Sequence, residues 1–315
     1  MIKTRVNELL GITYPLFQGG MAHISDAELA AAVSNAGGLG IITSVSRDGD
    51  FLKKEIEKVR KLTDKPFGVN LMLRSSNIED TARLLAEAKV PVITTGAGSP
   101  EKFMPMWNEA GIKVIPVVAS VAVAKLCVRA GACAVIAEGG ESGGHVGETT
   151  TMALIPQICD AVDVPVIAAG GIADGRGVAA SFMLGAEGVQ VGTRFLTATE
   201  CLVHPNYKKK VIKANDISTI VTGKRLGHPV RSIKNAFSRE YFKAEYSSIS
   251  DEDLEMMAVG SLPKAVFDGN DKEGSFLAGQ VAGMVKAEQS AAEIVEDIMQ
   301  GAEKILANAA NFLKG

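Results

Sequence analysis

The sequence predicts an α/β fold: a (β/α)8 TIM barrel with a smaller lobe inserted after strand eight and a C-terminal helix. Short apolar runs bounded by Gly, Pro or Asn recur eight times within the first 195 residues, and patterns typical of helices separate them. The runs are continuously apolar rather than alternating, which is typical of parallel strands covered on both faces. Eight strand–helix repeats favour a closed barrel over a doubly wound open sheet, which is the main alternative.

The eight predicted strands lie at residues 14–20, 39–44, 66–72, 91–98, 114–120, 134–142, 165–171 and 188–195. Between the first two strands, Asp26 can cap a helix and Gly37 can end it. Residues 51–62 form a second helical pattern with Ile56, Val59 and Leu62 on one face.

The strand–helix rhythm stops after the eighth strand, which predicts two domains. Residues 199–275 are more polar and irregular, and we expect them to form an inserted lid or substrate lobe. Residues 1–198 and 276–315 then form the barrel with a C-terminal helical segment. In that last segment Ile294, Ile298, Ile305 and Phe312 can share one helix face, which we expect to pack on the barrel exterior.

The composition indicates neither a nucleic-acid nor a membrane partner. The formal net charge is −3 over 315 residues, there is no block of like charges, and 5% of the residues are aromatic. No apolar run approaches the roughly 20 residues that span a bilayer, and no secretory signal is evident. The four cysteines lack CxxC or metal-site spacing, so we expect reduced thiols and a cytoplasmic protein.

Glycines at the ends of the last two predicted strands indicate a phosphate site. VPVIAAGGIADG (residues 164–175) and GVQVGTRF (residues 188–195) both pass from apolar residues into glycine. In TIM barrels the loops after strands seven and eight commonly bind phosphate. The strand ends carry no cluster of His and carboxylates for a metal and no GxSxG elbow, so we expect no metal site. Flavin mononucleotide (FMN) fits such a site; a barrel that binds another phosphorylated ligand without flavin is the alternative.

His145 is the candidate catalytic residue. It lies in the glycine-flanked segment ESGGHVGETTT after the sixth strand, where an imidazole can exchange a proton near neutral pH or simply bond to the backbone. His23 can begin a helix, and His204 and His228 precede prolines in the lobe and can shape turns. Glu138 either contacts the cofactor or is a buried carboxylate satisfied by backbone donors.

Taken in order, the motifs FQGGMA, PFGVN, TTGAG, AEGxExGGHxG, PVIAAGGIADG, VQVGTRF, HPNYK and AGQ span almost the whole chain. As an ordered set they resemble the FabK-type enoyl-acyl-carrier-protein reductases, which are related to the nitronate monooxygenases (2-nitropropane dioxygenases). The resemblance implies a cytoplasmic FMN enzyme that takes hydride from NADH or NADPH and reduces a 2-enoyl thioester on acyl carrier protein. It also implies a homodimer and a possible monovalent cation.

The resemblance also assigns roles to residues. His145 matches the active-site histidine of the family. The FMN contacts would be Gly20, Met21, Asn70, Thr95, Gly96, Glu138, Gly143, Gly170, Gly171, Gln190, Gly192, Thr193 and Gln280. Lys208–Lys210, Lys224 and Arg225 can meet an acidic carrier protein or be a solvated face. The alternative activity is that of a nitronate monooxygenase, which uses FMN and O2.

Overall fold

A computed structural model describes residues 1–45 and 48–313, and of Phe312 and Leu313 it describes the backbone alone. Eight parallel strands form one sheet in the order β1-β9-β8-β6-β5-β4-β3-β2. Their bounds are β1 Leu16–Gln18, β2 Gly40–Thr43, β3 Phe67–Met72, β4 Val92–Gly96, β5 Lys113–Val118, β6 Val135–Glu138, β8 Val166–Ala169 and β9 Gly188–Val191. A parallel bridge between Phe17 and Leu39 joins the two ends of the sheet. The predicted barrel and its eight strands are confirmed.

Helices alternate with the barrel strands. They are α1 Arg5–Leu10, α2 Ala27–Asn35, α3 Gly49–Leu62, α4 Ile78–Glu87, α5 Met104–Glu109, α6 Val121–Arg129, α7 Thr151–Cys159 and α8 Gly175–Met183. Asp26 caps α2 by accepting a hydrogen bond from the Leu29 N–H at 3.0 Å. Gly37 follows α2 with a φ of 94°, in the left-handed region where glycine is unstrained.

The chain between β9 and the C-terminal helix folds into mixed structure. A 3-10 helix at Thr193–Thr197 leads to α9 Pro205–Lys213, β10 Thr219–Thr222, β11 Val230–Ile233, α10 Ala236–Glu245, α11 Asp251–Ala258 and α12 Ser261–Val266. Strands β10 and β11 form a three-stranded antiparallel sheet with β7 (Gly144–His145), which belongs to the loop after β6. A second 3-10 helix at Gln280–Met284 precedes α13 Ala291–Ala307, and a third lies at Ala309–Leu313.

The last helix, α13, packs against α8 and α2 on the outside of the barrel, as predicted. Helices α8 and α13 approach so closely that a Cβ on Gly175 would lie 2.3 Å from the Ala302 nitrogen. Ile294 and Ile298 are buried, but Ile305 is 38% exposed. The prediction was therefore wrong for Ile305, because the residues of α13 that are buried end at Ala302.

Candidate active site

A cavity of about 1000 Å³ opens at the carboxyl ends of the barrel strands. Its walls come from the loops after the strands, from residues 227–229 and 258–263, and from residues 277–279. This is the face on which TIM barrels carry their active sites. Residues of the predicted lobe therefore share the cavity with the barrel.

Most of the predicted site residues line this one cavity. They are Gly20, Met21, Asn70, Gly96, Glu138, Gly143, His145, Gly170, Gly171, Gln190, Gly192 and Thr193. Thr95 is fully buried, and its hydroxyl has no hydrogen-bond partner within the described structure. Alternation along β4 places its neighbour Thr94 on the inward face, where the Thr94 hydroxyl donates to Asn70 Oδ1 at 3.0 Å. Gln280 is exposed beside the cavity-lining residues Gly279 and Val281, and its N–H donates to the Glu141 carbonyl at 3.0 Å.

His145 lies on β7 and is held there by the inserted segment. Its backbone pairs with Val230 on β11, and the Val146 N–H donates to the Pro229 carbonyl at 3.0 Å. The guanidinium of Arg231 donates to the Gly140 carbonyl at 2.9 Å, which ties β11 to the start of the same loop. Long-range strand pairing therefore sets the position of His145 within its glycine-flanked segment.

The cavity environment shifts the pKa values of two candidate residues. Burial lowers the pKa of His145, and the positive charge of the nearby His228 lowers it further. Burial raises the pKa of Glu138 to about 7, while a hydrogen bond from the Ser142 hydroxyl at 3.3 Å acts in the opposite direction. At neutral pH the site therefore favours a neutral imidazole and contains a carboxyl that is partly protonated.

The glycines in the cavity wall have two different roles. A Cβ on Gly20 would lie 2.4 Å from the Asn70 Cβ, and one on Gly143 would lie 2.6 Å from the Ala278 carbonyl carbon. These two glycines are required by the packing of the protein itself. By contrast, a Cβ on Gly96 would meet no described atom within 4 Å, and one on Gly192 would meet only the Met21 sulfur at 3.9 Å. The space beside these two is open, as a bound ligand would require.

The ends of β8 and β9 lie side by side, with Ala169 paired with Gln190. Gly170 and Gly171 follow β8 with φ values of 87° and 74°, and the Gly192–Thr193 pair follows β9. Glycines at such strand ends let backbone N–H groups approach an anion. The neutral side chains of Asn70 and Gln190 line the same cavity and can form hydrogen bonds with the polar edge of a ligand ring.

Four titratable residues that line the cavity were not assigned to the site from the sequence: His23, Arg74, Glu141 and His228. His23 does not begin a helix; it adopts a left-handed φ of 61°, and its ring meets the Phe267 ring edge-on at 6.0 Å between centroids. Its place directly after the first predicted strand was a signal that could have found it. His228 reaches the cavity only through the pairing of β11 with β7, which local sequence does not reveal.

The basic residues considered for carrier-protein contact are largely engaged elsewhere. Lys208 is buried and donates to the Ala198 carbonyl at 2.8 Å and to Glu288 at 2.6 Å. Lys210 pairs with Asp271, and Arg225 pairs with Asp251 at 2.8 Å. For Lys208 both expectations, a docking contact and a solvated face, were wrong because α9 packs this side chain against the barrel.

The described residues contain no group of three or more His, Cys, Asp or Glu side chains arranged to hold a metal ion. Across the same residues, no helix combines the length and apolar character needed to cross a bilayer.

Comparisons with known proteins place this site in a family context. The model of the nitronate monooxygenase family matches residues 3–87 and 78–301. The structure of FabK from Thermotoga maritima superposes with a TM-score of 0.97 at 48% identity and covers 99% of this chain and 100% of that chain.

Two curated relatives have similar coverage. A probable nitronate monooxygenase from Staphylococcus saprophyticus is 35% identical, over 97% of this chain and 99% of its own length. A (3aS,4S,5R,7aS)-5-hydroxy-7a-methyl-1-oxo-octahydro-1H-indene-4-carboxyl-CoA dehydrogenase from Mycobacterium tuberculosis is 34% identical, over 95% of both chains.

Proposed function

We propose that this chain, which belongs to the nitronate monooxygenase family, is an FMN-dependent enoyl-acyl-carrier-protein reductase that uses NADH or NADPH. The observation that carries the proposal is the likeness to FabK from Thermotoga maritima, at 48% identity along 99% of the chain. That identity exceeds the 34–35% found for the dehydrogenase and the probable monooxygenase. The cavity supports the same reading, because the glycines that follow β8 and β9 lie in its wall and the space beside Gly96 and Gly192 is open.

The residues that would hold FMN are those that the resemblance assigns. Gly170, Gly171, Gly192 and Thr193 would bind the phosphate at the ends of β8 and β9. The open space beside Gly96 and Gly192 would admit the ring system. Met21, Asn70, Glu138 and Gln190 would contact its polar and apolar edges. Gly20 and Gly143 would shape the wall, Thr95 would contribute through its backbone, and Gln280 would act from the cavity rim. When bound, FMN supplies hydride-transfer chemistry.

His145 would act on the enoyl thioester. Negative charge develops on the thioester oxygen as the double bond is reduced, and a neutral imidazole can donate its N–H there. The lowered pKa of His145 favours this neutral form at neutral pH. The α-carbon then takes up a proton, from the imidazole or from a water molecule that the imidazole orients.

The segment at residues 199–275 would serve as the substrate lobe. Its residues 227–229 and 258–263 line the cavity opposite the barrel, so the lobe can cover the bound thioester and the nicotinamide and exclude water. Acyl carrier protein as substrate carrier, a homodimer, a cytoplasmic location and a monovalent cation stay predictions that accompany this proposal.

Anaerobic absorbance spectroscopy of the purified holoprotein tests the proposal. We expect NADH or NADPH to bleach the flavin band and a crotonyl thioester to restore it. His145→Gln should lower turnover sharply while flavin content stays at the parental level. Lys125→Gln, at an exposed position on α6, is the matched control. A colourless protein that takes up no FMN, or normal turnover by His145→Gln, would contradict the corresponding part of the proposal.

Nitronate oxidation is the second candidate. The family model and the probable nitronate monooxygenase from Staphylococcus saprophyticus favour it. In that reaction His145 would remove a proton from a carbon acid, and O2 would be the electron acceptor. A flavin that is bleached by an alkyl nitronate but not by NADH or NADPH would establish this activity in place of the reductase.

A further inference from the structure

The small sheet places two histidines on one face. His145 on β7 pairs with Val230 on β11. The Val146 N–H bond to the Pro229 carbonyl extends this pairing, so His228, two residues before Val230, is the diagonal neighbour of His145. Diagonal neighbours on one face of an antiparallel pair are about 7–8 Å apart. Both side chains line the same cavity.

His228 is anchored on its own side of the cavity. Its Nε2 lies 3.5 Å from a carboxylate oxygen of Glu255 on α11, and its N–H donates to the Gly223 carbonyl at 3.3 Å. His228 follows the turn at residues 223–227. The buried carboxylate of Glu245 holds this turn by accepting hydrogen bonds from the backbone N–H groups of Gly223 at 3.1 Å and Arg225 at 2.9 Å. The backbone that carries this second imidazole is therefore held in place.

We propose that His228 is a positioning residue that sets the charge state of His145 by holding a second imidazole, paired with Glu255, beside it. That His145 is the reacting group rests on the proposed function. Two imidazolium ions this close repel each other, so a proton on His228 disfavours a proton on His145. On the lobe side, a carboxylate oxygen of Glu255 lies 3.5 Å from the His228 Nε2. The lowered pKa of His145, to which His228 contributes, agrees with this arrangement.

The cavity that holds the pair contains other titratable groups. Glu138, Glu141, His23 and Arg74 line the cavity with His145.

On the lobe side, Lys224 and Arg225 belong to the same turn as His228, and Arg225 is paired with Asp251 at 2.8 Å. Lys224 is exposed and carries a positive charge, but unlike His228 it does not line the cavity. It therefore provides a matched control for removing one positive charge from this turn.

The test is a pH titration of the His145 ring by nitrogen-15 NMR in the holoprotein, with the His145 signals assigned by their loss in His145→Gln. In His228→Gln we expect the titration midpoint of His145 to move to higher pH, because one positive charge has been removed. In Lys224→Gln the midpoint should stay at the parental value. The shift should shrink at about 1 M salt, where the Debye length is about 3 Å.

An unchanged His145 midpoint in His228→Gln would overturn the inference, and so would an equal shift in Lys224→Gln. Circular dichroism and flavin content establish that each variant is folded. The midpoint is measured without turnover, so a shift in a protein that does not reduce enoyl thioesters would support the coupling and reject the proposed function. In an active enzyme, the histidine-dependent limb of the kcat/KM profile should move in the same direction as the NMR midpoint.

Discussion

Gly96→Ala separates the requirements of the fold from those of the cofactor. Gly96 ends β4 and lines the cavity. Its φ is not among the positive values found in the described chain, and a Cβ built on it meets no described atom within 4 Å. The protein alone can therefore accept a methyl group here, whereas a cofactor filling the cavity beside Gly96 cannot.

The expected effects have opposite signs. Replacing glycine by alanine in a compatible conformation stabilises the native state by about 0.4–1 kcal/mol, because the unfolded chain loses conformational freedom. A methyl group forced against a bound ring system costs about 1–3 kcal/mol, which corresponds to a dissociation constant weaker by about 5- to 150-fold. Flavin-free Gly96→Ala should thus be as stable as the parent or more stable, while its FMN affinity falls.

Two measurements on the flavin-free protein check this: the thermal unfolding midpoint, and the Kd for FMN by fluorescence quenching. Gly49→Ala in α3 is the matched control, since its Cβ would lie 3.5 Å from the Leu84 Cδ1 and the residue does not line the cavity. The control should keep the parental Kd. Parental FMN affinity in Gly96→Ala, or a loss of stability in its flavin-free form, would refute the reasoning.

Three further predictions concern two partly buried carboxyl groups and a glycine with a positive φ. Burial raises the pKa of Asp26 from 3.8 to about 6, so the native state loses stability as pH rises between these values and does not regain it above them. Asp26→Asn keeps a capping side chain and should raise the free energy of unfolding by about 1–3 kcal/mol at about pH 8, but not at about pH 3.8. Urea denaturation at both pH values checks this. The same substitution at Asp48, the exposed cap of α3, is the control. The pKa of Glu138 is raised to about 7. Infrared difference spectra should therefore show the signal of a protonated carboxyl at about pH 5.5 that disappears by about pH 8.5 and is missing from Glu138→Gln. Identical spectra for parent and variant would contradict this prediction. Gly170 has a φ of 87°, and a Cβ on it would lie 2.7 Å from the carbonyl oxygen of Gly139. Gly170→Ala should therefore destabilise the protein by about 1–3 kcal/mol, measured as a lower thermal unfolding midpoint. Gly111→Ala introduces backbone strain without such a contact and should lose less stability in the same assay.

Much of the barrel was predictable because its signals are local. Each strand is an apolar run covered on both faces, and each run ends where the chain must turn. The runs at residues 165–171 and 188–195 became the adjacent strands β8 and β9. The carboxyl ends of parallel strands meet at one edge, so most of the residues assigned to the site from strand ends do line one cavity.

The errors came from contacts between distant parts of the chain. Lys208 looks like a surface lysine, but α9 packs it against the barrel, where Glu288 and a carbonyl satisfy its charge. Thr95 lies within the predicted strand, but the pleat turns its side chain outward and leaves Thr94 facing Asn70, so the role proposed for Thr95 is limited to its backbone. When a strand is covered by apolar residues on both faces, its sequence does not show which of two neighbouring side chains points to the barrel interior.

Local sequence patterns predict the barrel, the glycine-lined strand ends and the placement of the segment that carries His145 after the sixth strand. These follow from hydrophobic periodicity and from the conformational freedom of glycine, which act over a few neighbouring residues. Contacts between distant residues pair β11 with β7, and this pairing places His228, whose Nε2 lies 3.5 Å from Glu255, in the same cavity wall as His145. That pairing joins residues more than 80 positions apart, and its hydrogen bonds are made by backbone groups that every residue carries, so no local pattern encodes it.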